Sequence, residues 1–156
     1  MIFGSHVSIR HGYLGAAKQA VANQASAFQY FPKNPRIRNL CEYPEKVGFC
    51  LDTCHAFASG LWNGGNTEEL SVKGVELGYF EQLKVIHLNN SKYPTGSRKD
   101  RHANIFHSNG YIHEEQLKEL ASLTTLEGIP LIVETPDDEG FSHKEEIELL
   151  KQKWQI

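Results

Sequence analysis

Val47 to Asp52 (VGFCLD) is a short apolar run that stops on a carboxylate, and Thr53-Cys54-His55 turns polar directly after it. Two later runs have the same form: Lys84 to Leu88 (KVIHL) carries His87, and Pro130 to Glu134 (PLIVE) ends on Glu134. Short runs rich in β-branched residues read as strands. Ile2 to Ile9 (IFGSHVSI), which holds His6, and Ala27 to Phe31 (AFQYF) read the same way, the latter closed by Pro32 and Pro35. Helical spacing marks Tyr13 to Asn23, Asn66 to about Gln82, Glu114 to Ser122 and a last helix ending near Trp154. Asn66 with Glu69, and Ser142 with Glu145, suit helix starts. Strands alternating with helices predict an α/β protein with a mostly parallel sheet of about five strands. That number does not close a conventional eight-stranded barrel.

The chain has 156 residues, 40% of them hydrophobic, which suits a single domain, 1–156, with a real core. No apolar run approaches the roughly 18 residues of a membrane span. No charged-then-apolar leader follows Met1, so the expectation is a cytoplasmic protein with no membrane partner. Three Cys (Cys41, Cys50, Cys54) at unremarkable spacing argue against a disulfide scaffold and fit a reducing compartment. A net charge of −3 excludes a protein that coats nucleic acid by charge alone. The eight His are an excess, and His is the commonest metal ligand.

Sites in parallel α/β proteins lie at the carboxyl ends of strands. His6, Asp52, His87 and Glu134 sit at or near such ends and would converge on one mouth. Any one of them could be a satisfied polar group; together they favour metal or acid–base chemistry. Asp52 and His55 lie three residues apart at what reads as a strand-to-loop exit, and Asp100 and His102 alternate in a basic loop. Zinc takes imidazole nitrogen and carboxylate oxygen readily, so these clusters suggest more than one divalent ion. Cys54, inside the cluster, reads as a structural thiol packed behind the strand. His11, His107, His113 and His143 read as surface or loop residues. Lys92, Arg98, Lys99 and Arg101, with Lys33 and Arg36 in the proline-bounded loop, make a basic rim suited to a polyanion held at its phosphates. Two metals facing a phosphate would clamp the attacking and leaving oxygens.

Several blocks of the chain resemble one family. Phe3 to Ser8, Ala27 to Phe31 with Lys33-Asn34-Pro35-Arg36, Cys50 to Ala58 (CLDTCHAFA), Ile86 to Asn89, Gly96 to His102 (GSRKDRH) and Pro130 to Pro136 (PLIVETP) are similar to endonuclease IV. This is the zinc-dependent apurinic/apyrimidinic (AP) endonuclease of base-excision repair, also called deoxyribonuclease IV. The resemblance implies a TIM-barrel fold of the xylose isomerase-like kind with three zinc ions. It implies that His55, Asp100 and His102 hold one ion, and that Asp52, His87 and Glu134 hold another and act catalytically through it. His6 would lie near the site. Arg36, Lys33, Arg98 and Arg101 would contact double-stranded DNA at abasic sites.

The resemblance leaves a gap. It covers Met1 to about Arg36 and Val47 to the end, with an apparent junction near 37–46 where the family carries its middle βα units and the ligands of the third zinc. A complete barrel takes roughly 250 residues. The expectation is therefore an incomplete barrel with one to two zinc ions and open sheet edges that favour self-association. Ile105 to Gly110 replaces the family's usual Gly-Glu-Gly turn, and Asn90 stands where the family usually has Asp. Those two departures bear on substrate contacts. The implied reaction is hydrolysis of the phosphodiester 5′ to an abasic site, with activity reduced or lost through the gap. The alternative is a non-catalytic remnant that binds metal or DNA. A sugar isomerase sharing the barrel is a weaker reading, because the DTCH and SRKDRH blocks match the nuclease.

Overall fold

The chain was studied as a computed structural model, which describes residues 4–6, 18, 22, 27–29, 48–106, 109–136 and 141–154. It divides into two compact units, Met1–Val47 and Gly48–Ile156. In the first unit, strands β1 (Gly4–His6) and β2 (Ala27–Gln29) pair in parallel, with Ser5 opposite Phe28. Lys18 and Ala22, within the expected first helix, are helical and exposed.

The second unit is built on a parallel sheet in the order β3 (Phe49–Asp52), β4 (Leu83–His87), β7 (Leu131–Ile132). Its register aligns the chemistry. Asp52 lies opposite His87, and His87 opposite Ile132, so Glu134 leaves the sheet at the same end. All pairings among the strands expected from the sequence are parallel, as the alternation of elements requires. Among the described residues the sheet ends on β3 and β7, and Ile132 on the β7 edge is 46% exposed.

The expected loop after Asp52 is instead a helix, α1 (Thr53–Ser59). Asp52 is its N-cap, with Oδ1 accepting the His55 N–H at 2.9 Å, so one side chain ends the strand and starts the helix. Gly60, at φ 80°, closes α1 with its N–H on the Phe57 carbonyl. Helix α2 (Thr67–Glu76) stops short of Gln82, because Gly78 at φ 63° turns the chain into a separate short turn at Phe80–Gln82. The Asn66 side chain does not cap α2. It accepts the Asn63 N–H and donates to the Leu61 carbonyl, which holds the Gly-rich loop instead.

The loop after β4 contains a two-residue antiparallel ribbon that the sequence does not foreshadow, β5 (Asn90–Ser91) against β6 (His102–Ala103). It returns His102 to the sheet end. Helix α3 (Glu114–Ala121) and helix α4 (His143–Trp154) occupy the expected positions, and Ser142 and Glu145 cap α4 reciprocally. The core gathers Ile86 and Leu88 from the central strand with Trp62, Leu117, Leu120 and Trp154 from the elements around it. No helix among the described residues is long and apolar enough to cross a membrane.

Candidate metal centre

Asp52 stands at the middle of the site and is 5% exposed. Its Oδ2 lies 3.6 Å from His87 Nδ1, 3.6 Å from His102 Nε2 and 3.8 Å from His55 Nδ1. Asp100 reaches in from the basic loop, with Oδ2 2.9 Å from His55 Nε2 and Oδ1 3.5 Å from His102 Nε2. Glu134 Oε2 stands 2.7 Å from His87 Nδ1. Two ligand sets therefore form at one mouth, His55/Asp100/His102 and Asp52/His87/Glu134, each with its donor atoms within 4.8 Å of one another.

The state of the imidazoles tests whether a cation fits. His102 Nδ1 lies 2.9 Å from the Glu134 carbonyl, which can only accept, so the ring proton sits on Nδ1. In the neutral ring the other nitrogen, Nε2, presents its lone pair toward Asp52 and Asp100. His102 Nε2 and His87 Nδ1 are both buried without a hydrogen-bond partner, although carboxylate oxygens stand close to each. Unsatisfied imidazole nitrogens facing several carboxylates are the arrangement a divalent cation completes. Nitrogen and oxygen donors of this kind suit zinc or another divalent transition metal.

The charges respond to each other in the expected sense. Burial would raise the Asp52 carboxyl, but His87, His55 and His102 outweigh it and hold the group below its usual range. Burial would lower His87, but Asp52, Cys50 and Glu134 prevail and push the ring up to about 10. Without a metal, a proton on His87 partly balances the carboxylates.

Cys54 is fully buried on α1 rather than behind the strand. Its Sγ donates to the Arg101 carbonyl at 3.7 Å, and burial pushes the thiol up to about 11. It also comes within 4.8 Å of donor atoms on Asp52 and His102. Full burial and the bond to the Arg101 carbonyl fit the structural role expected of it.

The basic rim is only partly described. Arg98 and Arg101 are exposed, as are Lys92 and Lys99. Arg98 has φ 57° and its N–H donates to the Ala58 carbonyl, which ties the loop to α1. Arg101 donates to the Asp100 carbonyl at 2.6 Å. A cleft of about 400 Å³ beside the metal mouth is lined by Lys92, Asp100, Arg101, His102, Glu134, Thr135 and Pro136. Lys33, Arg36, His11, His107 and Cys41 lie outside the described residues, as does the side chain of His6. His113 is exposed at the start of α3, and half-buried His143 has Nε2 2.7 Å from the Thr135 carbonyl.

Sequence reasoning missed Asn89. It is fully buried, donates to Asp52 Oδ2 at 2.9 Å and accepts the Glu134 N–H at 2.8 Å, bridging two candidate ligands across the sheet. Its own backbone is gripped by the Thr53 hydroxyl. The signal was present: Asn89 stands two positions after His87, where a strand continued past its end would keep the same face. Asn90 is 1% exposed, and its amide both donates to and accepts from the Ile112 backbone. It secures the ribbon and is not placed to meet a substrate.

The family described as Xylose isomerase-like TIM barrel matches residues 21–153. The chain is 39% identical over 111 residues to "Probable endonuclease 4" of Symbiobacterium thermophilum, covering 71% of this chain and 40% of that protein. It is 46% identical over 119 residues to "Probable endonuclease 4" of Chlorobium phaeovibrioides, covering 73% of this chain and 40% of that protein. The crystal structure of endonuclease IV from Thermus thermophilus is similar in fold, with TM-score 0.66 and 24% identity, over 97% of this chain and 61% of that one. The chain spans about two-fifths of the length of the curated relatives it matches.

Proposed function

Because the chain belongs to the endonuclease IV family, we propose that it is a zinc-binding phosphodiesterase of DNA base-excision repair, acting 5′ to abasic sites with activity reduced or lost. The observation that carries this reading is the pair of ligand sets around Asp52, with buried imidazole nitrogens that face carboxylates without a well-aligned hydrogen bond. His55, Asp100 and His102 would hold one zinc, and Asp52, His87 and Glu134 a second. Bound zinc supplies Lewis-acid stabilisation of the charge that develops on a phosphodiester. Around it the chain's own residues divide the work. Asn89 aims Asp52 and the Glu134 backbone, while the Glu134 carbonyl holds the His102 ring in the tautomer that leaves Nε2 free. Lys92 and Arg101 line the cleft and would receive the phosphates; Arg98, Lys33 and Arg36 are the further contacts with double-stranded DNA that the family resemblance implies.

The gap near 37–46 would reduce activity, since the ligands of a third ion would come from the middle βα units that the family carries there. A reducing cytoplasm suits the free thiols of Cys50 and Cys54. The β3 and β7 edges, where the sheet ends among the described residues, would favour self-association. The second reading is a remnant that binds zinc or DNA without cutting, favoured by the apparent junction near 37–46.

The deciding experiment is incision of an abasic duplex oligonucleotide, with and without chelator, beside a metal count on the same preparation. Chelator-sensitive incision that disappears in His87→Ala supports the enzyme. One or two bound zinc ions with no incision supports the remnant. A chain that binds neither divalent metal nor abasic duplex removes both.

A further inference from the structure

Helix α4 packs one stripe inward, Glu146, Leu150 and Trp154, spaced four residues apart. Two of these are the apolar residues such a stripe calls for, and the first is a carboxylate with 0% exposure. A buried carboxylate is strongly unfavourable unless every oxygen is matched. Three donors reach it. The Ile105 N–H donates to Oε1 at 2.5 Å, Asn104 Nδ2 donates to Oε2 at 3.3 Å, and the Thr135 hydroxyl donates to Oε2.

The positions of those donors give the carboxylate its meaning. Asn104 and Ile105 follow directly on β6, which carries His102, and Thr135 is the residue after Glu134. One side chain thus grips two strand exits, each presenting a ligand of a different metal set. Asn104 adds a bond from its Nδ2 to the Pro136 carbonyl at 2.9 Å, closing the link between the exits. We propose that Glu146 is a positioning residue of the metal centre: it fixes the two exits that carry His102 and Glu134, and so sets the affinity for both ions without being a ligand. This rests on the metal-binding reading above.

The test is metal affinity of the full chain. Zinc dissociation constants come from competition with a chromophoric chelator, and the visible band of the cobalt form reports ligand geometry. Glu146→Gln keeps the shape and one acceptor, and is expected to weaken both ions together by about 10–100-fold, with an altered cobalt band and unchanged helix content. His55→Ala, by contrast, should weaken one ion selectively. Leu150→Ala on the same stripe should lower stability and leave the affinities alone, which separates positioning from packing. Affinities of Glu146→Gln within twofold of the wild type would overturn the proposal. If that variant does not fold, Thr135→Val carries the test: about tenfold weaker binding supports positioning, and unchanged binding refutes it. Failure of the wild-type chain to bind zinc or cobalt would sink the metal reading itself, and is seen before any variant is made.

Discussion

Replacing Asn89 with Leu, a side chain of similar size, removes a bridge between two strand ends while leaving little cavity. Two interactions are lost. The first is the bond to the ionised Asp52 at 2.9 Å, a class that contributes about 1.5–3 kcal/mol. The second is the acceptor for the Glu134 N–H at 2.8 Å, whose loss leaves a donor unsatisfied at about 1–3 kcal/mol. The expected destabilisation of the metal-free protein is about 2.5–6 kcal/mol, a large part of the roughly 5–15 kcal/mol that holds a domain folded. Urea unfolding of wild type and variant in chelator measures it, through a lower midpoint at unchanged slope. Saturating zinc should recover part of the loss, because a ligand that binds only the folded chain stabilises it. A variant that unfolds within about 1 kcal/mol of the wild type would refute the view that Asn89 braces the site.

Other consequences are equally accessible. His87→Ala should drop the zinc count by one per chain and abolish any chelator-sensitive incision, read by metal analysis and by the abasic-duplex assay. Since His87 is pushed up to about 10, the metal-free ring carries a proton at neutral pH that binding must expel. Zinc affinity should therefore rise about tenfold per pH unit between roughly pH 6 and 8, with proton release visible by calorimetry in two buffers. The sign reverses for the metal-free fold. A ring raised from 6.5 to about 10 stabilises the chain fully below pH 6.5, and that contribution fades as pH rises through 10. Chemical denaturation across that range checks it. Arg98 holds a left-handed φ of 57°, so Arg98→Gly should stabilise the loop by about 1 kcal/mol while reducing the salt slope of DNA binding by about one. Thermal melts and DNA titrations at several salt concentrations read the two effects separately.

The strand ends were legible because their information is local. VGFCLD, KVIHL and PLIVE each declare an apolar run and the polar residue that stops it, and parallel pairing then sets Asp52, His87 and Glu134 side by side. What escaped the sequence depends on tertiary contact. Helix α1 buries Thr53, Cys54, Ala56, Phe57 and Ala58, so no polar face marks its period. The ribbon of β5 and β6 is two residues long, too short for any alternation to show. Glu146 sits among the charges of KEEIELL and reads as solvent-facing, since only the packed neighbours show which glutamate turns inward. The DTCH block reads as ligands on a loop, yet Asp52 also starts a helix, and ligand chemistry alone gives no hint of that.

That double duty narrows the alphabet at position 52 to one letter. Asn would keep the cap on α1 but surrender the negative charge at the centre of the histidines. Glu would keep the charge, yet its longer stem would carry the oxygens past the His55 N–H. Ser or Thr would cap and do nothing else. A mutant at Asp52 therefore confounds chemistry with folding, whereas His87 loses a ligand and leaves the α1 cap in place. Any variant of this chain that changes residue 52 must find a new way to begin the helix that presents His55.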